Sequence, residues 1–179
     1  VSRRSVEDAR PWFRQAASDV RTAAAILTAP SPMDPDDVGC HVAAMCAQVI
    51  EKSLKAYLFL NAATPALDHR PDGYLVALLR GEMLLRYKDH RAALSKLFDP
   101  ATKSTVAKLL DLTPGGLGNR VDVPNTEYPW IDAIRGRLPP HGAAEFSNAA
   151  EIAAWLATAK RVSDGLRKLW IAVDRATAL

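Results

Sequence analysis

Apolar residues recur along this chain at the alternating three- and four-residue steps that mark the buried face of a helix. Phe13, Ala17, Val20, Ala24 and Leu27 form the first such stripe. Ser5 is expected to open it. Ser5-Val-Glu-Asp8 is close to a capping box, with Ser5 accepting from an orphan backbone N–H and Asp8 favouring the positive helix end. Pro30, Pro32 and Pro35 close the element. A second helix is predicted from Asp34-Pro35, a cap residue followed by proline at the first helical position, to about Asn61. Val42, Met45, Val49, Leu54, Tyr57 and Leu58 supply its apolar side, and Gln48, Glu51, Lys52 and Lys55 fall largely on the other. Glu51 and Lys55 are spaced for a local ion pair worth roughly 0.3 kcal/mol.

The middle of the chain is less regular. Tyr74 to Leu85 and His90 to Phe98 read as helical, and Asp99-Pro100 is a second cap-plus-proline start leading to Val106, Leu109 and Leu110. Pro114-Gly115-Gly116-Leu117-Gly118 interrupts the pattern. From there to Pro140 the chain is turn-rich, with at most a short helix at Trp130 to Arg135. Ser147 is expected to cap the last helix, whose stripe of Ile152, Trp155, Ala159, Val162, Leu166, Leu169 and Val173 is the strongest periodicity in the sequence. Gly165 inside it suggests the close approach of another helix. Together these elements predict one all-α domain over residues 1–179, an up-and-down bundle of four or more helices.

Composition narrows the class without naming a function. Of 179 residues, 49% are hydrophobic and 24% charged, which excludes wholesale disorder. A net charge of +3 permits nucleic-acid contact without requiring it. Cys40 and Cys46 share a helix and are separated by about 9 Å of rise, too far for a disulfide, so both read as small core residues. No stretch is long enough to span a membrane. Val1-Ser-Arg-Arg-Ser5 lacks the apolar run of a signal peptide, so a cytoplasmic location is expected. No metal site or cofactor motif stands out.

The order of motifs adds a resemblance. "ARPWFRQAASDVRTAAAIL", then "HVAAMCAQVIEKSLKAYLFL", then "EYPWIDAIRGRLPP" before the Ala-rich "FSNAAEIAAWLATAKRVSDGLRKLW" resembles the HEPN (higher eukaryote and prokaryote nucleotide-binding) domain family. The likeness touches most of the chain, although residues 65–123 are longer than a minimal member needs. It implies a HEPN-like helical bundle that forms a homodimer. It also implies a metal-independent endoribonuclease of toxin–antitoxin type, with RNA as substrate and a nucleotidyltransferase-like antitoxin as partner. The family also contains non-catalytic members that bind RNA, nucleotides or partner proteins.

The ribonucleases of that family carry an arginine followed, after four to six residues, by a histidine. Histidine exchanges protons near neutral pH, and the arginine fork stabilises the scissile phosphate. Arg135-Gly-Arg-Leu-Pro-Pro-His141 is the literal match, making Arg135 and His141 the candidate catalytic pair and Arg137 the substitute arginine. Gly136 departs from the polar residue usual after the arginine, and Pro139-Pro140 makes this a loop pair. His90 follows Arg86 one position too closely, and His41 and His69 have no arginine at the required distance. Glu51, Lys52 and Arg137 are candidates to line an RNA or nucleotide cleft, positions that equally fit a solvated helix face and a loop anchor. The run Lys160, Arg161, Arg167 and Lys168 fits RNA backbone contact or the wet side of a helix. Tyr128, Trp130, Trp155 and Trp170 read as core or interface anchors before base-stacking platforms. An unrelated bundle whose role is assembly alone is the third reading.

Overall fold

The computed structural model describes residues 3–29, 34–60, 90–112, 130–132, 136–138 and 144–177. Their elements are α1 (Arg3–Thr28), α2 (Pro35–Leu60), α3 (His90–Leu97), α4 (Pro100–Asp111), β1 (Trp130–Asp132), β2 (Gly136–Leu138), a 3-10 turn (Ala144–Ser147) and α5 (Ala149–Thr177). The fold is all-α apart from the short β1–β2 pair. The expected helix over Tyr74 to Leu85 and the Pro114–Gly118 break lie outside the described residues.

α2 is the central element. Val42, Cys46, Ile50, Leu54, Tyr57 and Leu60 are all buried, and even Ser53 and Lys55 are covered. A helix apolar nearly all round must be covered on several sides. Here α1, α4, α5 and the 3-10 turn pack against it. Each fully buried Leu or Ile contributes about 1.5–3 kcal/mol. α1 and α2 run antiparallel, with Trp12 stacked on Phe59 at one end of the seam and Asp19 facing Lys52 at the other.

Local chemistry explains where several helices start. Asp34 and Pro35 open α2 as expected, and the Val38 N–H bonds the Asp34 carbonyl at 3.1 Å. Asp99 caps α4: its Oδ1 accepts from the Thr102 N–H at 2.7 Å and the Thr102 hydroxyl at 2.8 Å, and these bonds hold its carboxyl below the usual carboxylate range. Arg161 of α5 donates to the Thr102 hydroxyl and approaches Asp99, fastening α4 to α5. Lys108 and Glu151 make a second tie between the same helices. Gly165 meets the Leu97 methyl groups of α3, the close approach its position suggested.

Three expectations are corrected. α1 begins at Arg3 rather than Ser5. Ser147 ends the 3-10 turn, and the cap of α5 is Asn148, whose Oδ1 accepts from the Glu151 N–H at 3.1 Å. Trp130–Asp132 is a strand and not a helix, paired antiparallel with β2 so that Ile131 lies opposite Arg137. Trp130 and Ile131 favour strand, and a single helical turn ahead of Gly136 offers their backbone no comparable partner.

Both thiols are buried and free. Burial, aided by the charge of Asp37, pushes Cys40 up to about 11. Burial alone pushes Cys46 up to about 12. The thiolate is the nucleophile, so iodoacetamide at pH 8 should leave both unmodified in the folded protein and label both in urea, as read by mass spectrometry. Labelling of the folded protein at the unfolded rate would contradict the burial. Raised folded values also mean that these groups favour folding below pH 9, the ordinary thiol value, and that this contribution is lost as pH rises towards 11 and 12.

Candidate anion-binding groove

The sequence candidates separate once placed on the fold. Arg135 and His141 lie outside the described residues. Arg137 is in β2. Glu51 and Lys52 stand on α2 at its seam with α1, where their charges are partnered within the fold. Lys52 Nζ donates to Asp19 Oδ2 at 2.5 Å and to Gln48 Oε1 at 3.1 Å, and Gln15 donates to the other Asp19 oxygen at 2.8 Å. Lys55 Nζ donates to Glu51 at 2.5 Å and lies 5.4 Å from the centre of the Trp12 ring. The polar side of α2 is therefore covered by α1 and is not a solvated face. The Glu51–Lys55 pair forms as its spacing predicts, but with Lys55 only 3% exposed.

The basic run of α5 also disperses. Lys160 is paired with Asp164 at 2.7 Å, Arg161 turns towards α4, and Lys168 is exposed. Arg167 alone of the four faces α1. The histidines diverge as well. His41 is exposed on α2, while His90 Nδ1 shares a 3.0 Å hydrogen bond with the buried Tyr57 hydroxyl.

Four arginines converge where α1 and α5 meet. A groove of about 440 Å³ runs between them, edged by Arg10, Arg14, Arg21 and Arg167 and floored by Phe13, Ala17 and Trp170. A second concavity, about 650 Å³, continues it past Arg10 and Arg14 to Glu7, Pro11 and Gln15. The arrangement follows from helix geometry. Positions 10, 14, 17 and 21 of α1 recur on one stripe beside the buried face of Val6, Phe13 and Ala23. From Arg10 to Arg21 that stripe rises about 16 Å.

The four arginines are not equally engaged. Arg14, Arg21 and Arg167 have no ion pair or hydrogen bond among the described residues and are exposed. Arg10 lies 5.6 Å from the Trp170 ring centre, and its Nη2 is 3.5 Å from Asp174 Oδ1, with both side chains about two-fifths exposed (42% and 39%). A pair so exposed contributes about 0–1 kcal/mol. Arg10 Nε is buried with no acceptor among the described residues. Trp170 is held more firmly. Its indole N–H donates to the Val6 carbonyl at 3.1 Å, and Phe13 packs on it with ring centres 5.6 Å apart. Guanidinium groups without carboxylate partners are suited to phosphate, which they hold through paired N–H donors.

Among the described residues no group of His, Cys, Asp and Glu could hold a metal ion, and no helix is long and apolar enough to cross a membrane. No protein-family model, curated protein or solved structure matches the chain. The site's chemistry therefore rests on its own geometry. Sequence reasoning missed the groove, although the 10, 14, 21 spacing on α1 was open to view. Arg167 completes it only through the packing of α5 on α1.

Proposed function

We propose that this chain is a HEPN-like helical module that binds RNA through the phosphates of its backbone, in the groove between α1 and α5. The observation that carries the reading is the convergence of Arg10, Arg14, Arg21 and Arg167 on one groove, three of them without a partner among the described residues. The all-α fold and the net charge of +3 are consistent with it. Holding phosphate is within the reach of arginine alone, whereas strand cleavage adds a proton-transfer group, and none lines this groove among the described residues.

Binding of a fluorescein-labelled single-stranded RNA, followed by anisotropy, tests the proposal. With all four arginines neutralising phosphates, the logarithm of affinity should fall against the logarithm of salt with a slope of about −3. The double variant Arg14→Ala/Arg21→Ala removes two contacts, so the slope should shrink to about −1.5 and affinity at moderate salt should drop about tenfold. An unchanged slope and affinity in that variant would remove the groove as the site. The exposed side of α4 supplies a control in Lys103, whose change to Ala should leave both quantities near the wild-type values.

A further inference from the structure

We infer that the groove selects single-stranded RNA by laying one base against Trp170, in the place that the Arg10 guanidinium occupies. The inference rests on the reading of the groove as an RNA site and adds to it what the site recognises besides phosphate.

Trp170 has the properties of a fixed platform. Its indole is anchored at 3.1 Å to the Val6 carbonyl and backed by Phe13, yet it remains half-buried and forms part of the groove floor. Arg10, 5.6 Å from the ring centre, lies over it. That cover is weakly retained, since Arg10 meets Asp174 only at 3.5 Å and its Nε has no acceptor among the described residues. A phosphate entering beside Arg14 offers Arg10 a better partner than Asp174 does. As the guanidinium turns to it, the ring face is released to the adjoining base. Every base has a π-face, so stacking on Trp170 is tolerant of sequence but demands an unpaired strand. A duplex keeps its bases stacked internally and presents only phosphates to the groove.

An acidic protein segment is the competing occupant, and the floor argues against it. Carboxylates would satisfy the arginines but leave the Trp170 ring without a flat partner. Phosphate and base together account for both parts of the lining.

The test compares four probes of matched length on the wild-type protein: single-stranded RNA, the same strand without bases, duplex RNA and poly-glutamate. The single strand should bind about tenfold more tightly than the abasic strand, and more tightly than the duplex and the polypeptide. Trp170→Leu should lower binding of the intact strand to the abasic level while changing abasic binding less than about twofold. Trp170→Phe, which keeps a ring, should retain most of the base preference. Equal binding of intact and abasic strands by the wild type, or duplex binding as tight as single-strand binding, overturns the stacking inference and leaves the phosphate groove standing. Poly-glutamate binding as tightly as RNA, or no binding of any RNA, overturns the RNA reading and the stacking inference together. The wild-type comparison does not depend on how well the Trp170 variants fold.

Discussion

Gly39→Ala is expected to destabilise this protein by about 3 kcal/mol or more, far more than the same change at Gly165 of α5. A Cβ at position 39 would stand 1.9 Å from the Phe146 carbonyl oxygen, 2.8 Å from its carbonyl carbon and 3.1 Å from its Cα. All three are backbone atoms, so no side-chain rotation relieves the overlap. Either α2 or the 3-10 turn at Ala144–Ser147 must move. The turn holds Phe146, which is 1% exposed in the core beside α2, so its displacement also forfeits that burial. Urea denaturation should show a lower midpoint at an unchanged slope. Gly165→Ala makes the contrast in the same experiment. Its nearest neighbours, at 2.8 Å, are the terminal methyls of Leu97, which can rotate, and alanine favours helix over glycine by about 1 kcal/mol. The second substitution should therefore cost less than about 1 kcal/mol. Equal costs at the two positions would show that backbone contact is not what fixes Gly39.

What could be read from the sequence divides along the range of the interactions involved. Asp34-Pro35 and Asp99-Pro100 were legible as helix starts because a cap and its orphan N–H groups lie within one turn. The α5 stripe was legible because Ile152, Trp155, Val162 and Leu166 are large, apolar and regularly spaced, and all are buried. α1 was harder. Its innermost positions include Ala9, Ala16 and Ala23, while the expected Ala17, Val20, Ala24 and Leu27 are only half-buried. Alanine marks either face equally well, so the direction of the stripe was underdetermined. Asp19 sits on the buried side against every rule of hydropathy, and its reason is Lys52, 33 residues further on. Lys55 likewise reads as solvated until Trp12 is placed over it. The groove has the same logic. Arg10, Arg14 and Arg21 share a stripe by local periodicity, but Arg167 joins them only because α5 packs beside α1. The pair that the resemblance singled out, Arg135 and His141, lies outside the described residues.

Lys52→Met should cost about 3 kcal/mol although it keeps all but the last atom of the side chain's length. The variant retains an apolar stem and removes the charge, leaving the Asp19 carboxylate, 9% exposed, with the Gln15 amide as its remaining partner among the described residues. A carboxylate withdrawn from water and deprived of its cation forfeits hydration without recovering it from a partner, which is why breaking such a pair costs more than the pair is worth. Asp19→Leu alone leaves the complementary fault. Its cost should be smaller, because Lys52 is 22% exposed, keeps Gln48 at 3.1 Å, and can extend its ammonium towards solvent. Asp19→Leu/Lys52→Met together replace the pair by apolar groups at the α1–α2 seam and should recover most of the loss, with a coupling of about 2 kcal/mol between the sites. Urea midpoints of the four proteins close the cycle. Additive costs would mean that water reaches Asp19 and that the pair is a surface contact. Coupling of the expected size would mean that the charges do their work as a unit, holding the antiparallel register of α1 on α2. Since the arginine stripe is carried on α1, the position of one wall of the groove would then depend on that pair.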